Sequence, residues 1–269
     1  DIAEYNIGKG EYMKYIFFDI DGTLVDLVDN QEVIYPSTRK TIQQLKDKGY
    51  KVAIASGRSL IEILPTAQKL GIDNIVSDGG YGLTIEGKLQ YIHPLPHDIV
   101  QSLSQELIEK KIPFAFLTNP SQKELFASSQ MLNHQYDFDC EGIQLTIDET
   151  FDYLNTDAYK VFMAIHRGEE DRIETVNAHQ IMRYREGSLA YEPDDKYAGV
   201  KEFVEYYHGS MEDVIFFGDG LNDIGMFEQI SCTVAMGNAI EEVKKLAYFI
   251  TKDIKEDGIE YACCYLKLL

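Results

Sequence analysis

The sequence is short of basic residues and of cysteine, and it contains no long hydrophobic run. Lysine and arginine number 25 against 45 aspartate and glutamate residues, which gives a formal net charge of −20. Non-specific binding to nucleic acids and to anionic membrane surfaces depends on lysine and arginine. Neither nucleic acid nor a membrane is therefore an expected partner.

The cysteines show no spacing typical of a zinc site or a disulfide framework. They are Cys140, Cys232, Cys263 and Cys264. We expect them to be free thiols in a reducing cytosol. No apolar run approaches the roughly 20 residues that span a membrane, and no secretory signal opens the chain. We therefore expect a soluble cytoplasmic protein, with residues 1–12 as a leader or an expression remnant.

Apolar strands alternate with helical segments in the first and last thirds of the chain. Strands are predicted at residues 15–18, 51–56 and 74–77. Strands are predicted again at residues 213–219, 232–236 and 247–251. Strand–helix–strand units of this kind form right-handed crossovers and a parallel sheet. We therefore expect an α/β fold with a Rossmann-like parallel-sheet core.

The middle third has a different pattern, in which strands are not separated by regular crossovers. We expect the core to consist of residues 13–84 and 187–269, interrupted by an inserted α+β domain at residues 85–186. Further local expectations are a hairpin over 83–92, an irregular flap over 26–35, helices over 121–132 and 169–176, and a core strand beginning at Leu189.

The first chemical motif follows the apolar strand Tyr15–Phe18. Asp19 and Asp21 lie at its tip, where two carboxylates are costly unless something uses their charge. Mg²⁺ prefers oxygen ligands and often takes one or two carboxylates together with phosphate oxygens. An acidic turn that ends a strand is the alternative, and two aspartates alone would not exclude it.

A second acidic group follows the predicted strand at 213–219. Asp219, Asn222 and Asp223 would converge on Asp19 if the two strands are neighbours, because ligands of open α/β sheets bind at the carboxyl ends of strands. Several carboxylates at close range cannot all stay ionised without a cation. Asn222 or Asp223 could instead cap the following helix, and capping is compatible with metal binding.

Two further positions suit a phosphate group. Ser56 and Gly57 offer a hydroxyl and backbone N–H groups at a strand-to-helix turn, although such turns are common. Lys196 precedes a predicted helix at 199–207 and could pair with Asp19 and a phosphate oxygen. Most lysines lie on solvated faces, so its position after the insertion is the main argument for it.

Four segments of the chain occur in the order of a known set of motifs. Asp19–Thr23, Ser56–Arg58, Lys196 and Gly218–Asp223 resemble the four motifs of the haloacid dehalogenase-like (HAD) phosphohydrolases. The insertion resembles a C2 cap, and with VAMGNA at 234–239 the chain is similar to the Cof-type, or IIB, branch. Lys196 departs from the pattern because Gly199 does not follow it directly, and Asp78 stands where relatives often have asparagine.

The resemblance implies hydrolysis of small phosphorylated metabolites, such as sugar phosphates, through an aspartyl phosphate. Asp19 would be the nucleophile and Asp21 the acid and base. The phosphate would contact Ser56, Gly57 and Lys196. Mg²⁺ would be held by Asp19, Asp21, Asp219, Asn222 and Asp223.

Two other functions remain open at this point. A phosphotransferase or phosphomutase would use a sugar hydroxyl in place of water, and a phosphate-binding protein would keep the site without turnover. Substrate contacts from the cap are sought among His93, His166, Arg183 and Arg185, each of which is more typical of an ordinary surface or core residue.

Overall fold

The computed structural model describes residues 14–29, 31–133, 143–176, 181–192 and 194–269. The leader expected at 1–12 and Cys140 lie outside the described residues. In the described part, Cys232 and Cys263 are buried free thiols, whereas Cys264 is exposed. No helix within those ranges is both long and apolar enough to cross a membrane.

An eight-stranded sheet forms the larger part of the molecule, in the order β16-β15-β14-β1-β4-β5-β6-β7. Six of these strands run parallel, and β6 and β7 are antiparallel additions at one edge. The strands are β1 (Tyr15–Phe18), β4 (Lys51–Ala55), β5 (Ile75–Ser77), β6 (Gly82–Ile85), β7 (Lys88–Ile92), β14 (Val214–Gly218), β15 (Cys232–Ala235) and β16 (Phe249–Ile250).

The two most apolar strands lie side by side at the centre of the sheet. Every residue of β1 and β14 is buried, as expected for strands covered on both faces. They pair in parallel with Phe18 opposite Phe217, and the Asp19 amide donates to the Phe217 carbonyl at 2.9 Å. The residues that follow the two strands therefore leave the sheet at the same edge.

Helices cover both faces of this sheet. Alternate residues of β1 face opposite sides: Ile16 and Phe18 lie in one core, and Tyr15 and Phe17 in the other. The first core contains residues of α1 (Pro36–Asp47), α2 (Leu60–Leu70) and α7 (Gly258–Tyr265). The second contains residues of α4 (Lys196–Tyr206), α5 (Ile224–Gln229) and α6 (Glu241–Leu246). The layers confirm the expected α/β core.

A second, six-stranded sheet carries its own hydrophobic core, in the order β10-β9-β8-β11-β13-β12. One helix, α3 (His97–Glu109), packs against it through Val100, Leu103 and Leu107. The strands are β8 (Phe114–Leu117), β9 (Glu124–Ala127), β10 (Gln144–Ile147), β11 (Lys160–Met163), β12 (Ile181–Arg185) and β13 (Ser188–Tyr191).

Sheet membership differs from the expected domain limits at both junctions. The hairpin predicted over 83–92 forms, but β6 pairs with β5 and so extends the larger sheet. The three-residue 3₁₀ turn Asp78–Gly80 reverses the chain there. The strand beginning at Leu189, expected in the core, is part of β13 and pairs with β11 in the smaller sheet. We therefore propose domain limits after Ile92 and after Glu192, which Lys160 of β11 binds, in place of limits after residues 84 and 186.

Three local predictions are wrong. The segment expected as an irregular flap forms a hairpin of β2 (Asp26–Val28) and β3 (Gln31–Val33). The segment 121–132 contains β9, where buried Leu125 and Ala127 alternate with more exposed neighbours. In 169–176 the structure has only a 3₁₀ turn at Glu170–Arg172, none of whose residues is buried.

Phe203 of α4 tests the packing of the central strand. Its ring is fully buried and meets Phe17 edge to face at 5.3 Å between centroids. Phe203→Ala should lower the free energy of unfolding by about 3–5 kcal/mol, because it leaves a cavity in the core. Tyr206→Ala on the same helix removes a side chain that is 57% exposed and should change it by less than about 1 kcal/mol. If urea titrations gave the two variants the same loss in the free energy of unfolding, this packing would be contradicted.

Candidate active site

A lysine buried between two aspartates lies at the carboxyl edge of β1 and β14. Lys196 Nζ donates to Asp19 Oδ1 at 2.8 Å and to Asp223 Oδ1 at 2.6 Å. The side chains of Lys196, Asp19 and Asp223 are 2%, 3% and 0% exposed. Lys196 is the first residue of α4, whose N-cap Asp195 accepts from the Ala198 amide at 3.1 Å. The capped helix start therefore fixes the lysine against both carboxylates.

The turn after β14 is closed by the second oxygen of Asp223. Asp223 Oδ2 accepts from the backbone amides of Asp219 at 3.0 Å and of Gly220 at 3.1 Å. Both oxygens of Asp223 therefore have protein donors. Asp223 is the N-cap residue of α5, but its side chain makes no capping hydrogen bond to that helix, so the expected capping role is not seen. Its second oxygen instead closes the preceding turn.

The two acidic turns are fitted closely against each other. Thr23 Oγ1 donates to Asp219 Oδ1 at 3.2 Å. Gly22 has φ +73°, and a Cβ at this position would lie 2.1 Å from Asp219 Oδ2. Asn238, in the segment 234–239, donates to the Gly22 carbonyl at 2.8 Å and accepts from the Ile254 amide at 3.0 Å. Only glycine allows this approach of the two turns.

The carboxylates are suited to a divalent cation. Asp19, Asp219 and Asp223 offer oxygen atoms that all lie within 4.8 Å of one another. Hard cations such as Mg²⁺ prefer oxygen donors of this kind. Because Asp223 already accepts from Lys196 and two backbone amides, Asp19 and Asp219 are the better placed direct ligands. Asn222 precedes Asp223 in the 3₁₀ turn Leu221–Asp223.

Burial and mutual repulsion raise the proton affinity of these carboxyls. Burial raises the pKa of Asp19 to about 8, with Asp223 adding to the effect and Lys196 opposing it. Burial likewise raises the pKa of Asp219 to about 7, again with a contribution from Asp223. Burial works to lower the pKa of Lys196, but Asp19 and Asp223 outweigh it and raise the pKa. Lys196 is therefore a fixed positive charge.

Asp21 points away from this cluster towards an arginine. Arg58 Nε and Nη2 donate to the two Asp21 oxygens at 2.9 and 2.5 Å, and Nη1 donates to Glu32 of β3 at 2.7 Å. Arg58 was not predicted as a site residue. In the sequence, Arg58 stood out only as the last residue of the Ser-Gly-Arg string. That string gives no indication that Arg58 binds Asp21, which lies 37 positions away in the chain.

The predicted phosphate turn lies on the same edge. Ser56 is buried directly after β4, and its Oγ accepts from the Arg58 amide at 3.2 Å. Ser56 and Gly57 line a cleft of about 800 Å³. The cleft lies between the two sheets, because its lining includes Asp21, Ser56, Gly57 and Asn222 from one part and Lys123, Met182, Arg183 and Glu192 from the other.

The structure thus brings all of the predicted site residues to one edge of the larger sheet. They are Asp19, Asp21, Ser56, Gly57, Lys196, Asp219, Asn222 and Asp223. Of the four cap candidates, Arg183 lines the cleft, but its guanidinium donates to Glu170 and to the Ile165 and Glu186 carbonyls. His93 stacks on Tyr91. His166 and Arg185 are exposed.

Acidic side chains and a buried lysine, together with a turn predicted to bind phosphate, lie at the carboxyl edge of a parallel sheet. This combination is typical of a metal-dependent phosphohydrolase. Comparison with known proteins gives the family. The profile of the haloacid dehalogenase-like hydrolases matches residues 16–263. The chain belongs to this family, as its motifs predicted, and is a phosphoric monoester hydrolase.

Individual relatives agree with this assignment. The chain is 35% identical over 261 residues to YkrA of Bacillus subtilis, named a candidate phosphatase, with 95% of this chain and 98% of YkrA covered. It is 28% identical to the 5-amino-6-(5-phospho-D-ribitylamino)uracil phosphatase YitU of the same organism, with 91% and 94% covered. The solved HAD subclass IIB sugar phosphatase BT4131 superposes with a TM-score of 0.74 at 27% identity, with 96% and 100% covered.

The raised pKa values predict how metal binding depends on pH. Without metal, the folded chain holds protons on Asp19 and Asp219 that the unfolded chain, with carboxyl pKa values near 4, has lost. These groups therefore favour the folded state at low pH, and that contribution is lost as pH rises through about 7 to 8. Mg²⁺ must displace the same protons, so it should raise the thermal midpoint more at pH 8 than at pH 6.

Thermal unfolding with Mg²⁺ or with EDTA at both pH values measures this effect. Asp219→Asn should remove most of the Mg²⁺ response, whereas Asp47→Asn on the exposed side of α1 should leave it unchanged. An equal Mg²⁺-dependent shift at pH 6 and pH 8 in the unmodified chain would contradict the assignment of protons to these carboxyls.

Proposed function

We propose that this phosphatase hydrolyses small phosphorylated metabolites with Mg²⁺ as cofactor and through an aspartyl phosphate on Asp19. The observation that carries the proposal is the buried contact of Asp19 with Lys196 at the edge of β1. A carboxylate held by a lysine beside two further aspartates can act as a nucleophile towards a phosphate ester whose charge is offset locally.

The metal-binding residues in this proposal are Asp19 and Asp219, with Asn222 and the backbone carbonyl of Asp21 completing the set and Asp223 holding the turn in place. When bound, Mg²⁺ would offset the negative charge of the phosphoryl group and of the attacking carboxylate.

Asp19 attacks phosphorus in the first step. One carboxylate oxygen of Asp19 forms a bond to phosphorus while the bond from phosphorus to the ester oxygen breaks. Lys196 fixes the orientation of Asp19 by its hydrogen bond to Oδ1 and supplies positive charge beside the transferring group. Ser56 binds a phosphoryl oxygen through its hydroxyl and Gly57 through its backbone N–H, since the Ser56 N–H donates to the Val76 carbonyl.

Asp21 moves the protons. It donates a proton to the departing ester oxygen in the first step. It then accepts a proton from the water that attacks phosphorus, the bond from phosphorus to Asp19 breaks, and inorganic phosphate leaves. Arg58 donates to both Asp21 oxygens and holds this side chain at the lining of the cleft. The contact with Arg58 must open for Asp21 to carry the proton that it donates.

The second sheet would act as a cap that shields the reaction from bulk water and contacts the leaving group. Its side of the cleft is formed by Lys123, Met182, Arg183 and Glu192. Of the relatives named above, YitU is named a phosphatase of 5-amino-6-(5-phospho-D-ribitylamino)uracil and BT4131 a sugar phosphatase. A leaving group of this kind, small and rich in hydroxyls, fits a cleft of about 800 Å³.

Substitution of the two motif aspartates tests this mechanism. Asp19→Asn should lower kcat/KM for para-nitrophenyl phosphate by about 1000-fold or more, because the amide is a poor nucleophile. Asp21→Asn should lower it by about 100- to 10,000-fold, the usual contribution of a general acid and base. Release of inorganic phosphate in the presence of Mg²⁺ is the measurement.

The matched control is Asp47→Asn, an identical chemical change at an exposed position of α1, which should leave the rate unchanged. Circular dichroism and urea midpoints establish that each variant is folded. A folded Asp19→Asn variant with the unmodified rate would remove Asp19 as the nucleophile.

A further inference from the structure

A second buried ion pair lies beside the phosphate turn and outside the set of motif residues. Lys160 Nζ donates to Glu192 Oε2 at 2.7 Å, and the two side chains are 3% and 8% exposed. Lys160 is the first residue of β11, and Glu192 directly follows β13, the neighbouring antiparallel strand. The pair therefore sits where the smaller sheet meets the larger one.

Stability of the smaller sheet does not require these charges. Val161 and Tyr191, the next residues along, form an apolar cross-strand pair at the same position of the two strands. Removing two charges from water costs several kcal/mol per ion, and a well-packed apolar pair is often at least as stable. A buried lysine and glutamate at this place are better explained by a use for the charge.

Glu192 is directed to the cleft. It is among the residues that line it, together with Ser56 and Gly57. A methyl group placed on Gly57 would lie 3.7 Å from Glu192 Oε1. One oxygen of Glu192 is thus held by Lys160, while the other lies next to the turn that is proposed to bind the phosphoryl group. A leaving group attached to that phosphoryl group would come within hydrogen-bonding distance of Glu192 Oε1.

Lys160 lies close to several carboxyl groups besides that of Glu192. Burial raises the pKa of Glu62, but Ser59 and then Lys160 outweigh it and lower the pKa. Burial raises the pKa of Asp78, and Lys160 opposes this shift. Lys160 therefore lies among the carboxyl groups of Glu192, Glu62 and Asp78.

The arginines that line the cleft are also matched by acids. Arg58 is bound to Asp21 and Glu32, and Arg183 is bound to Glu170. Among the described residues, the lining has Arg58, Lys123 and Arg183 against the carboxyl groups of Asp21, Glu32, Glu62 and Glu192. A second phosphate or a carboxylate on the substrate would therefore meet no surplus of positive charge there. Hydroxyl groups, in contrast, can donate to a carboxylate oxygen that a lysine holds in place.

We propose that Glu192 is a specificity-determining residue whose carboxylate accepts hydrogen bonds from an uncharged, polyhydroxylated leaving group, and that Lys160 is a positioning residue that orients it. The inference rests on the proposed phosphatase function and assigns a substrate class to it. Discrimination of this kind is strong, because an analogue that lacks the hydroxyl gives up a charge-assisted hydrogen bond to the Glu192 carboxylate.

The test compares a substrate with hydroxyls on the leaving group and one without. Ribitol 5-phosphate and glucose 6-phosphate supply the hydroxyls, and para-nitrophenyl phosphate lacks them. Glu192→Ala should lower kcat/KM for whichever polyol or sugar phosphate is the better substrate by about 10- to 100-fold, chiefly through KM, because a charged hydrogen bond is lost. The loss for para-nitrophenyl phosphate should be at least about fivefold smaller, because its leaving group offers no hydroxyl to Glu192.

Two further variants separate positioning from folding. Glu192→Gln keeps the shape and an acceptor oxygen and should lose less than Glu192→Ala on the same polyol or sugar phosphate. Lys160→Met should reproduce the selective loss without touching the substrate. Lys40→Met breaks the exposed ion pair with Glu260 and is the matched control. It should leave kcat/KM unchanged for both kinds of substrate.

The outcomes are distinguishable. No activity of the unmodified chain on any of the three esters defeats the proposed function itself. If the chain is active and folded Glu192 variants lose the same fraction of kcat/KM on all substrates, the pair of Lys160 and Glu192 is structural. If they lose none on any substrate, Glu192 has no role in specificity. Preference for fructose 1,6-bisphosphate over fructose 6-phosphate would overturn the uncharged class of leaving group.

Discussion

The ammonium group of Lys196 between Asp19 and Asp223 is the interaction on which the rest of the site depends. Its contacts of 2.8 and 2.6 Å join three segments that are far apart in the chain, at the tip of β1, the start of α4 and the turn after β14. Lys196 works against the repulsion between these buried carboxylates, and it opposes the rise in the pKa of Asp19 that burial and Asp223 cause. In the proposed function, the Asp19 carboxylate held in this way serves both the metal and the substrate.

The larger sheet supplies the geometry that this interaction needs. Parallel pairing of β1 with β14 sets Phe18 opposite Phe217, so the chain leaves both strands at one edge. The positive φ of Gly22 then lets the first turn approach Asp219 closely. These features act together, because a shift of either strand would move a carboxylate away from the lysine.

Much of this could be predicted from the sequence, because an apolar run followed by carboxylates marks a strand tip and parallel strands share an edge. For the strands at the two junctions, the sheet to which each belongs could not be predicted. The hairpin signal over 83–92 indicates two strands but not the strand with which they pair. The turn at Asp78–Gly80 decides that partner. The contacts of Arg58 with Asp21 and of Lys160 with Glu192 also escaped prediction, since a single charged residue in a sequence gives no sign of its partner.

Identification of the phosphorylated residue tests the central claim most directly. Unmodified enzyme with Mg²⁺ and substrate would be quenched in acid within one turnover, reduced with borohydride, digested and analysed by mass spectrometry. The account predicts homoserine at position 19, the product expected from an aspartyl phosphate there. Reduction at another carboxylate, or phosphate release with no acyl phosphate on the protein at any time point, would contradict it.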